Sequence, residues 1–392
     1  MIRKIDELDF RDKIVFLRVD FNVPIDHGSV TEPHRIESAL PTIRKILQRA
    51  KKLVIASHLG RPDGKVVPQY SLAPVRGHLE ASLKEAVVLA PDCIGTAVER
   101  LVRDSNQRII LLENLRFHKA EEKNDAAFSR ALASLADVYV NDAFGAAHRA
   151  HASIAGIASF FQHKAAGLLL QKELDYLTLV LHNPAKPLVA ILGGAKVSDK
   201  IGVIRNLLAK VDTLLVGGAM AYTFLKARGI EIGRSLLEGD KIALARELEA
   251  EAAAHGVPLM LPVDHITGDT AKNNPATSDK SIAIDRIGLD IGPKTVALYA
   301  AEIKKAKTVL WNGPVGLFEV EAYSQGSRAL ACSLADNHPR IVSIIAGGDT
   351  VAAVTAAGVE KKITHLSTGG GATLEFLEGR VLPGIKALEA NP

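Results

Sequence analysis

Apolar runs in the first part of this chain end in charged or polar side chains. Val15–Val19 is followed by Asp20 and Asn22, Leu53–Ala56 by His58 and Arg61, Ile109–Leu112 by Asn114 and Arg116, and Val138–Val140 by Asn141, Asp142, His148 and Arg149. A single histidine or arginine is ordinarily a packed or salt-bridged structural residue. Recurrence at four successive strand ends points instead to one shared site, because ligands of open α/β sheets bind at strand C-termini. Asp20, Asn22, Arg35, His58, Arg61, Arg116 and Arg149 therefore read as a cradle for a multiply charged anion carrying phosphate and carboxylate.

In the second part the equivalent runs stop at glycine: Gly193-Gly194, Gly217-Gly218, Gly313 with Gly316, Gly347-Gly348 and Gly369–Gly371. Small residues at strand-to-helix turns let backbone N–H groups reach phosphate. After the first of these turns Lys196 and Lys200 stand four apart, a spacing that places them on one helical face as phosphate counter-charges; the plain alternative is two exposed lysines opening a helix. Gly347-Gly348-Asp349-Thr350 opens another helix, where Asp349 serves as an N-cap, as a ligand to Mg²⁺ directly or through water, or as both. Gly371 closes a third glycine-rich helix start. In Trp311–Glu319, the rigid Pro314 flanked by glycines offers a wall for a flat base, and Glu319 an acceptor for ribose hydroxyls. A side-chain anion cradle and a bare-backbone phosphate pocket together imply phosphoryl transfer between two lobes.

The elements needed to position these residues follow from periodicity. Apolar runs alternate with amphipathic helices, which predicts α/β architecture with parallel sheets covered on both faces. Strands are expected near 14–19, 53–57, 87–89, 109–112 and 138–141, with helices near 34–50, 72–83, 94–104 and 121–136. The second part predicts strands near 188–192, 213–216, 258–261, 308–311, 341–345 and 363–366, with helices near 199–210, 219–228, 238–255, 294–306, 322–336, 349–357 and 371–378. Leu168–Leu181 reads as a connecting helix stopped by Asn183-Pro184 and Pro187. Asp264–Pro293, rich in Asp, Asn, Gly and Pro, reads as an irregular surface excursion.

With 392 residues two domains are expected: 1–167, a connector over 168–185, and 186–379, with a tail over 380–392. The net charge of +4 lies wholly in the first 165 residues, which hold 24 Lys+Arg against 20 Asp+Glu and 14 of the 22 arginines. No basic run occurs and aromatic content is 5%, which argues against nucleic acid. No apolar stretch approaches the ~18 residues of a membrane span, and the start lacks the apolar core of a signal peptide. Cys93 and Cys332 are too few for a disulfide framework or a zinc site, so a reducing cytoplasm is expected. Neither G-x-x-x-x-G-K-[ST] nor G-x-G-x-x-G is present, which argues against a Walker loop and against a dinucleotide-dependent dehydrogenase.

Taken together, Arg18–Pro24, Ser57–Pro62, Leu112–Phe117, Asn141–His151, Leu192–Val197, Gly217–Met220, Trp311–Phe318, Gly347–Thr350 and Ser367–Ala372 resemble the phosphoglycerate kinases over essentially the whole chain. The resemblance implies two Rossmann-like lobes joined by an interdomain helix and closing by hinge bending, with the tail docked on the first lobe. It implies a carboxyl-accepting phosphotransferase that exchanges phosphate between ATP and 3-phosphoglycerate, giving ADP and 1,3-bisphosphoglycerate, with Mg²⁺, as a cytoplasmic monomer. Carried over by motif, Asp20, Asn22, Arg35, His58, Arg61, Arg116 and Arg149 hold the phosphoglycerate. Lys196, Lys200, Gly217, Gly218, Asn312, Pro314, Glu319, Gly347, Gly348, Asp349 and Thr350 hold the nucleotide. Arg35, Lys196, Gly348 and Gly371 take catalytic positions, and Asp349 the metal. Ala346 and Ala219 stand where many members carry glycine. A silent, binding-only member would have lost Lys196, Lys200 or Asp349; all three are present.

Overall fold

The computed structural model describes residues 2–270, 275–278 and 280–389. It divides into two compact units, one running to Leu174 and resuming at Val381, the other spanning Asp175–Arg380. No helix among the described residues is long and apolar enough to cross a membrane.

The first unit contains strands β1 (Ile14–Arg18), β2 (Ile25–Asp26), β3 (Ser29–Val30), β4 (Lys52–Ala56), β5 (Val87–Leu89), β6 (Ile109–Leu111), β7 (Val138–Asn141) and β8 (Lys164–Ala166). Its helices are α1 (His34–Leu47), α2 (Ala73–Leu83), α3 (Thr96–Asp104), α4 (Lys119–Glu122) and α5 (Ala126–Ala133). Six strands form one sheet in the order β5-β6-β4-β1-β7-β8, every neighbouring pair parallel. Helices cover both faces of such a sheet, so β4 is buried at all of its positions and reads from Leu53 onward as an unbroken apolar run. On one face Val15, Leu17, Leu53 and Ile55 pack against Ile36, Ile43 and Ile46 of α1, residues spaced to share one side of a helix.

Helix α6 (Leu168–His182) follows, and the division between the units falls inside it. The second unit continues with β9 (Leu188–Leu192), α7 (Ile201–Leu208), β10 (Thr213–Val216), α8 (Met220–Ala227), α9 (Ile242–Ala254) and β11 (Leu259–Met260). Then come β12 (His265–Gly268), β13 (Ala276–Ser278), β14 (Ile287–Ile291), α10 (Pro293–Lys305), β15 (Thr308–Asn312), α11 (Gln325–Asp336), β16 (Val342–Ala346), α12 (Gly348–Ala356), β17 (His365–Leu366) and α13 (Gly371–Leu377). Its main sheet runs β11-β10-β9-β15-β16-β17, again parallel throughout. Val189, Ile191, Val309 and Trp311 meet Tyr299, Ile303, Leu330 and Leu334 of α10 and α11 in its core. The final short helix, α14 (Pro383–Lys386), belongs to the first unit: Gly384 N–H donates to Ala147 O at 2.9 Å and Leu388 is buried.

Three elements differ from the sequence reading. The helix expected over 121–136 is two, because Asn124 takes a left-handed φ of 53° and Asp125 caps α5 by accepting from Phe128 N–H at 2.8 Å. Strand β8 and the hairpin β2-β3 were too short to show a period. Asp264–Pro293, expected to be irregular surface, forms the antiparallel sheet β13-β12-β14; residues 271–274 and 279 of this segment lie outside the described ones. Two of its aspartates, Asp264 and Asp290, are buried internal acceptors. Asp264, fully buried, accepts from Thr295 N–H and Lys294 N–H at 2.8 Å each, satisfying the first turn of α10. Asp290 accepts from Gly326 N–H at 2.6 Å and Ile291 N–H at 2.9 Å. Asp264→Ala leaves these buried donors unpaired and is expected to cost at least about 2 kcal/mol. Urea unfolding measures this, and an unchanged midpoint would mean that α10 does not depend on the cap.

Candidate functional site

Parallel pairing sends every strand of the first sheet out at the same edge, and the expected polar residues gather there. Arg35, on the first turn of α1, donates to Asp20 at 2.8 Å. Asp20 also lies 3.9 Å from His58 Nδ1. Asn22 accepts from Gly60 N–H at 2.9 Å, and Gly60 O accepts from Arg116 Nη1 at 2.7 Å, so the loop after β4 is held from two sides. Arg116 is buried, with Nε 3.3 Å from Glu122. Arg149 reaches the neighbouring His148 ring at 3.2 Å, while Arg61 is exposed on the same loop as Gly60. Asn114 has another duty: its amide bridges Leu59 and Tyr70 carbonyls and accepts from the Leu59 and Arg116 N–H groups. Asp142 turns away from the others and accepts from Leu170 N–H at 3.0 Å, at the start of α6.

Three further members were not among the expected residues. Arg18, the last residue of β1, is completely buried and donates to Ser153 at 2.8 Å and to His58 Nδ1 at 3.3 Å. Glu121 is also completely buried, bound to Ser153 and 3.9 Å from His151. Arg18 interrupts an otherwise apolar run, which was the available signal; His151 ended the segment Asn141–His151 without a role of its own, and Glu121 gave no signal.

Crowded cations dominate the electrostatics. Burial, then Arg18, Arg116, His151 and Arg35, hold the His58 pKa well below 6.5. Burial, then Arg116, Arg18 and Arg149, lower His151 to about 3. Burial and the Arg149 charge lower Arg116 to about 10. The cluster therefore has more positive charge than its carboxylates offset, the condition of an anion site.

In the second unit a pocket of about 370 Å³ opens among the strand-end loops of β9, β10 and β15 and strand β14. Gly218, Pro314, Glu319 and Asp349 line it, as do Gly194, Ala219, Tyr222, Leu236, Gly288, Leu289 and Phe318. The apolar wall from Leu236 and from 287–289 was missed; 287–289 fell within the stretch that read as surface excursion. Lys196 and Lys200 do not share a helical face. Helix α7 begins only at Ile201, leaving Lys196 exposed on the loop while Lys200 is buried and donates to Asn312 Oδ1. Burial lowers Lys200 to about 8, against the opposing pull of Asp199 and Asp349. Asn312 in turn donates to Ala346 O at 2.9 Å, and Thr350 accepts from Gly313 N–H at 2.7 Å. These three residues brace β15 and β16. Asp349 is not the N-cap of α12, a position Gly347 takes at φ 91°; it projects from the first turn, exposed at the pocket.

The glycines also have a duty the sequence did not reveal. A Cβ on Gly193 would strike the Gly313 and Pro314 carbonyl oxygens, and one on Gly218 would meet the backbone of Gly194. Gly217 is filled against Val315, and Gly193, Gly217 and Gly313 are not pocket lining. The strand-end loops interlock backbone to backbone, so part of the glycine pattern serves loop packing. Gly347 and Gly348 precede and open α12, and Gly371 opens α13 after Gly370 at φ 52°. Among the described residues, Asp92, Cys93 and His118 form the one group of possible metal ligands. They lie in the first unit, and Asp92 Oδ1 is already engaged by His118 Nε2 at 2.7 Å and Cys93 N–H at 2.6 Å.

Two parallel α/β units, with an arginine cluster in one and a glycine-walled pocket in the other, have the make-up of a phosphotransferase. The family model described as phosphoglycerate kinase matches residues 5–380. A protein named phosphoglycerate kinase from Koribacter versatilis is 54% identical over 98% of each chain, and one from Anaeromyxobacter dehalogenans is 55% identical over 99% of each. The solved phosphoglycerate kinase of Coxiella burnetii superposes with a TM-score of 0.89 at 42% identity, covering 99% of both chains. That of Pyrococcus horikoshii gives 0.86 at 30% identity, covering 99% of this chain and 98% of the other. The chain belongs to the phosphoglycerate kinase family.

The charge cluster makes a direct prediction about pH. Folded His151 binds a proton only near pH 3, and His58 well below 6.5, whereas both titrate near 6.5 when unfolded. Their contribution to stability is complete above about pH 6.5 and is lost as the pH falls towards 3. Asp142, raised to about 6 by burial, acts in the opposite sense between that value and its ordinary 3.8. Proton NMR of the full chain should show the His58 and His151 ring signals unmoved from pH 8 to 5; a midpoint near 6.5 for either would refute the electrostatic assignment.

Proposed function

We propose that this chain catalyses the family reaction, ATP and 3-phosphoglycerate giving ADP and 1,3-bisphosphoglycerate, with the acceptor held by the first unit and the nucleotide by the second. The arginine cluster around Asp20, His58 and Arg116 carries the proposal, since its uncompensated charge fits an acceptor bearing a phosphate and a carboxylate. Arg35, Arg61, Arg116 and Arg149 supply guanidinium donors, His58 a neutral N–H, and Asn22 shapes the loop that presents them. The adenine lies against Leu289, Phe318 and Pro314, with Glu319 at the ribose.

The acceptor carboxylate is ionised at neutral pH and needs no general base. Catalysis is then positioning and charge stabilisation of the phosphoryl group in flight. Lys196 and Arg35 are the groups assigned to that charge, with the N–H groups of Gly348 and Gly371 at two helix starts. Lys200, Asn312 and Thr350 keep the phosphate-facing loops in register. Because the two half-sites lie on different units, transfer requires that they be brought together with water excluded.

Asp349 suits Mg²⁺ by its chemistry: one exposed carboxylate oxygen donor at the pocket, the number this ion commonly takes while keeping waters and substrate phosphates. When bound, the ion neutralises charge on the nucleotide phosphates. A cytoplasmic, monomeric enzyme independent of nucleic acid and membrane completes the proposal.

A coupled assay for ADP release with 3-phosphoglycerate tests it, with activity expected only when Mg²⁺ is present. No turnover under any divalent ion would defeat the assignment. Arg35→Ala and Lys196→Ala should each lower kcat by at least roughly 10²-fold, the scale of removing one preorganised charge donor, with much smaller effects on substrate binding. Near-normal turnover in either variant would remove that residue from the transferring site.

A further inference from the structure

We propose that Glu121 and Ser153 are positioning residues for the acceptor site, holding Arg18 so that it donates to His58 Nδ1 and fixes His58 as the Nε2–H tautomer. The functional half of this inference rests on the reading of the arginine cluster as the acceptor site.

The argument is one of donors and acceptors. A guanidinium can only donate. Arg18 Nη2 lies 3.3 Å from His58 Nδ1, so that nitrogen must offer its lone pair. Asp20 Oδ1, 3.9 Å from the same nitrogen, is beyond hydrogen-bond reach. Burial and the surrounding cations keep the ring neutral, so its single proton sits on Nε2. The opposite tautomer would set an N–H against the guanidinium and turn a lone pair towards any bound anion.

Arg18 cannot turn to suit the ring, because its other nitrogens are committed. Nη1 donates to Val19 O and Nε to Ser153 Oγ at 2.8 Å. The Ser153 hydroxyl has one proton, which it gives to Glu121 Oε1 at 2.6 Å, so its lone pair faces Arg18. Glu121 Oε2 accepts from Ser153 N–H at 2.9 Å, and Tyr139 holds the Ser153 carbonyl at 2.9 Å. Glu121, Ser153 and Arg18 are all completely buried. No water competes, and the direction of every bond from Glu121 to His58 is set by the carboxylate at its end.

Long-range proton–nitrogen correlation spectra of the ¹⁵N-labelled full chain test this, with the His58 signal identified by its loss in His58→Gln. Wild type should show the Nε2–H pattern. Ser153→Ala should give tautomer-averaged shifts and raise KM for 3-phosphoglycerate about tenfold, the scale of unpairing one buried charged donor, with kcat within about twofold. Ser153→Thr, which keeps the hydroxyl, should restore both readouts. Glu121→Gln should move them in the same direction as Ser153→Ala, and serves if the alanine variant does not fold. An Nδ1–H ring in wild type, or unchanged spectra and KM in the folded variants, overturns the proposal. Unchanged KM in His58→Gln would instead remove the acceptor-site reading, and with it the functional half, whatever the tautomer.

Discussion

Parallel strand pairing is the constraint on which both halves of this protein depend. In a parallel sheet every strand leaves at the same edge, so residues that follow different strands meet there although far apart in sequence. Arg18 and Ser153 are separated by 135 positions and still share a hydrogen bond; Lys200 and Asn312 are separated by 112 and do the same. The antiparallel sheet β13-β12-β14 has a different task, contributing through Ile287–Leu289 the apolar wall of the pocket in the second unit.

The two edges use opposite physics. In the first unit, guanidiniums are brought closer than their charges favour around two neutral imidazoles, and Asp20, Glu121 and Glu122 offset only part of the repulsion. That electrostatic cost is what the proposed phosphate-bearing acceptor would relieve. In the second unit, backbone packing does the arranging: Gly193, Gly218 and Gly313 let three loops touch main chain to main chain, and the buried Lys200–Asn312 contact ties the sheet edge beneath them. The strand-end backbone is thus fixed by its own packing, the preorganisation that the proposed catalysis by placed charge needs.

Much of this was legible in the chain itself. The strand Leu188–Leu192 falls where periodicity places it, because a strand buried on both faces must be apolar throughout. Asp20, His58 and Arg116 meet as their strand-end positions require, and Arg35 joins them from the first turn of α1. Glu121 escaped notice because a buried charge is defined by its partners, and those partners come from other elements. The Asp264–Pro293 segment misled because Asp, Asn and Gly signal turns, whereas Asp264 and Asp290 spend their acceptors on the N–H groups of α10 and α11.

Sequence alone therefore determined the alternation of strand and helix, the family, and which residue types stand at each strand end, since these depend on local period and local composition. Tertiary structure decided which side chains are buried and what each donates to. It withdrew Lys200 to Asn312, left Lys196 exposed, put Gly347 rather than Asp349 at the helix cap, and enclosed Arg18 with Glu121. The reason is physical: burial and hydrogen-bond direction belong to pairs of elements, and no single stretch of chain contains both members of the pair.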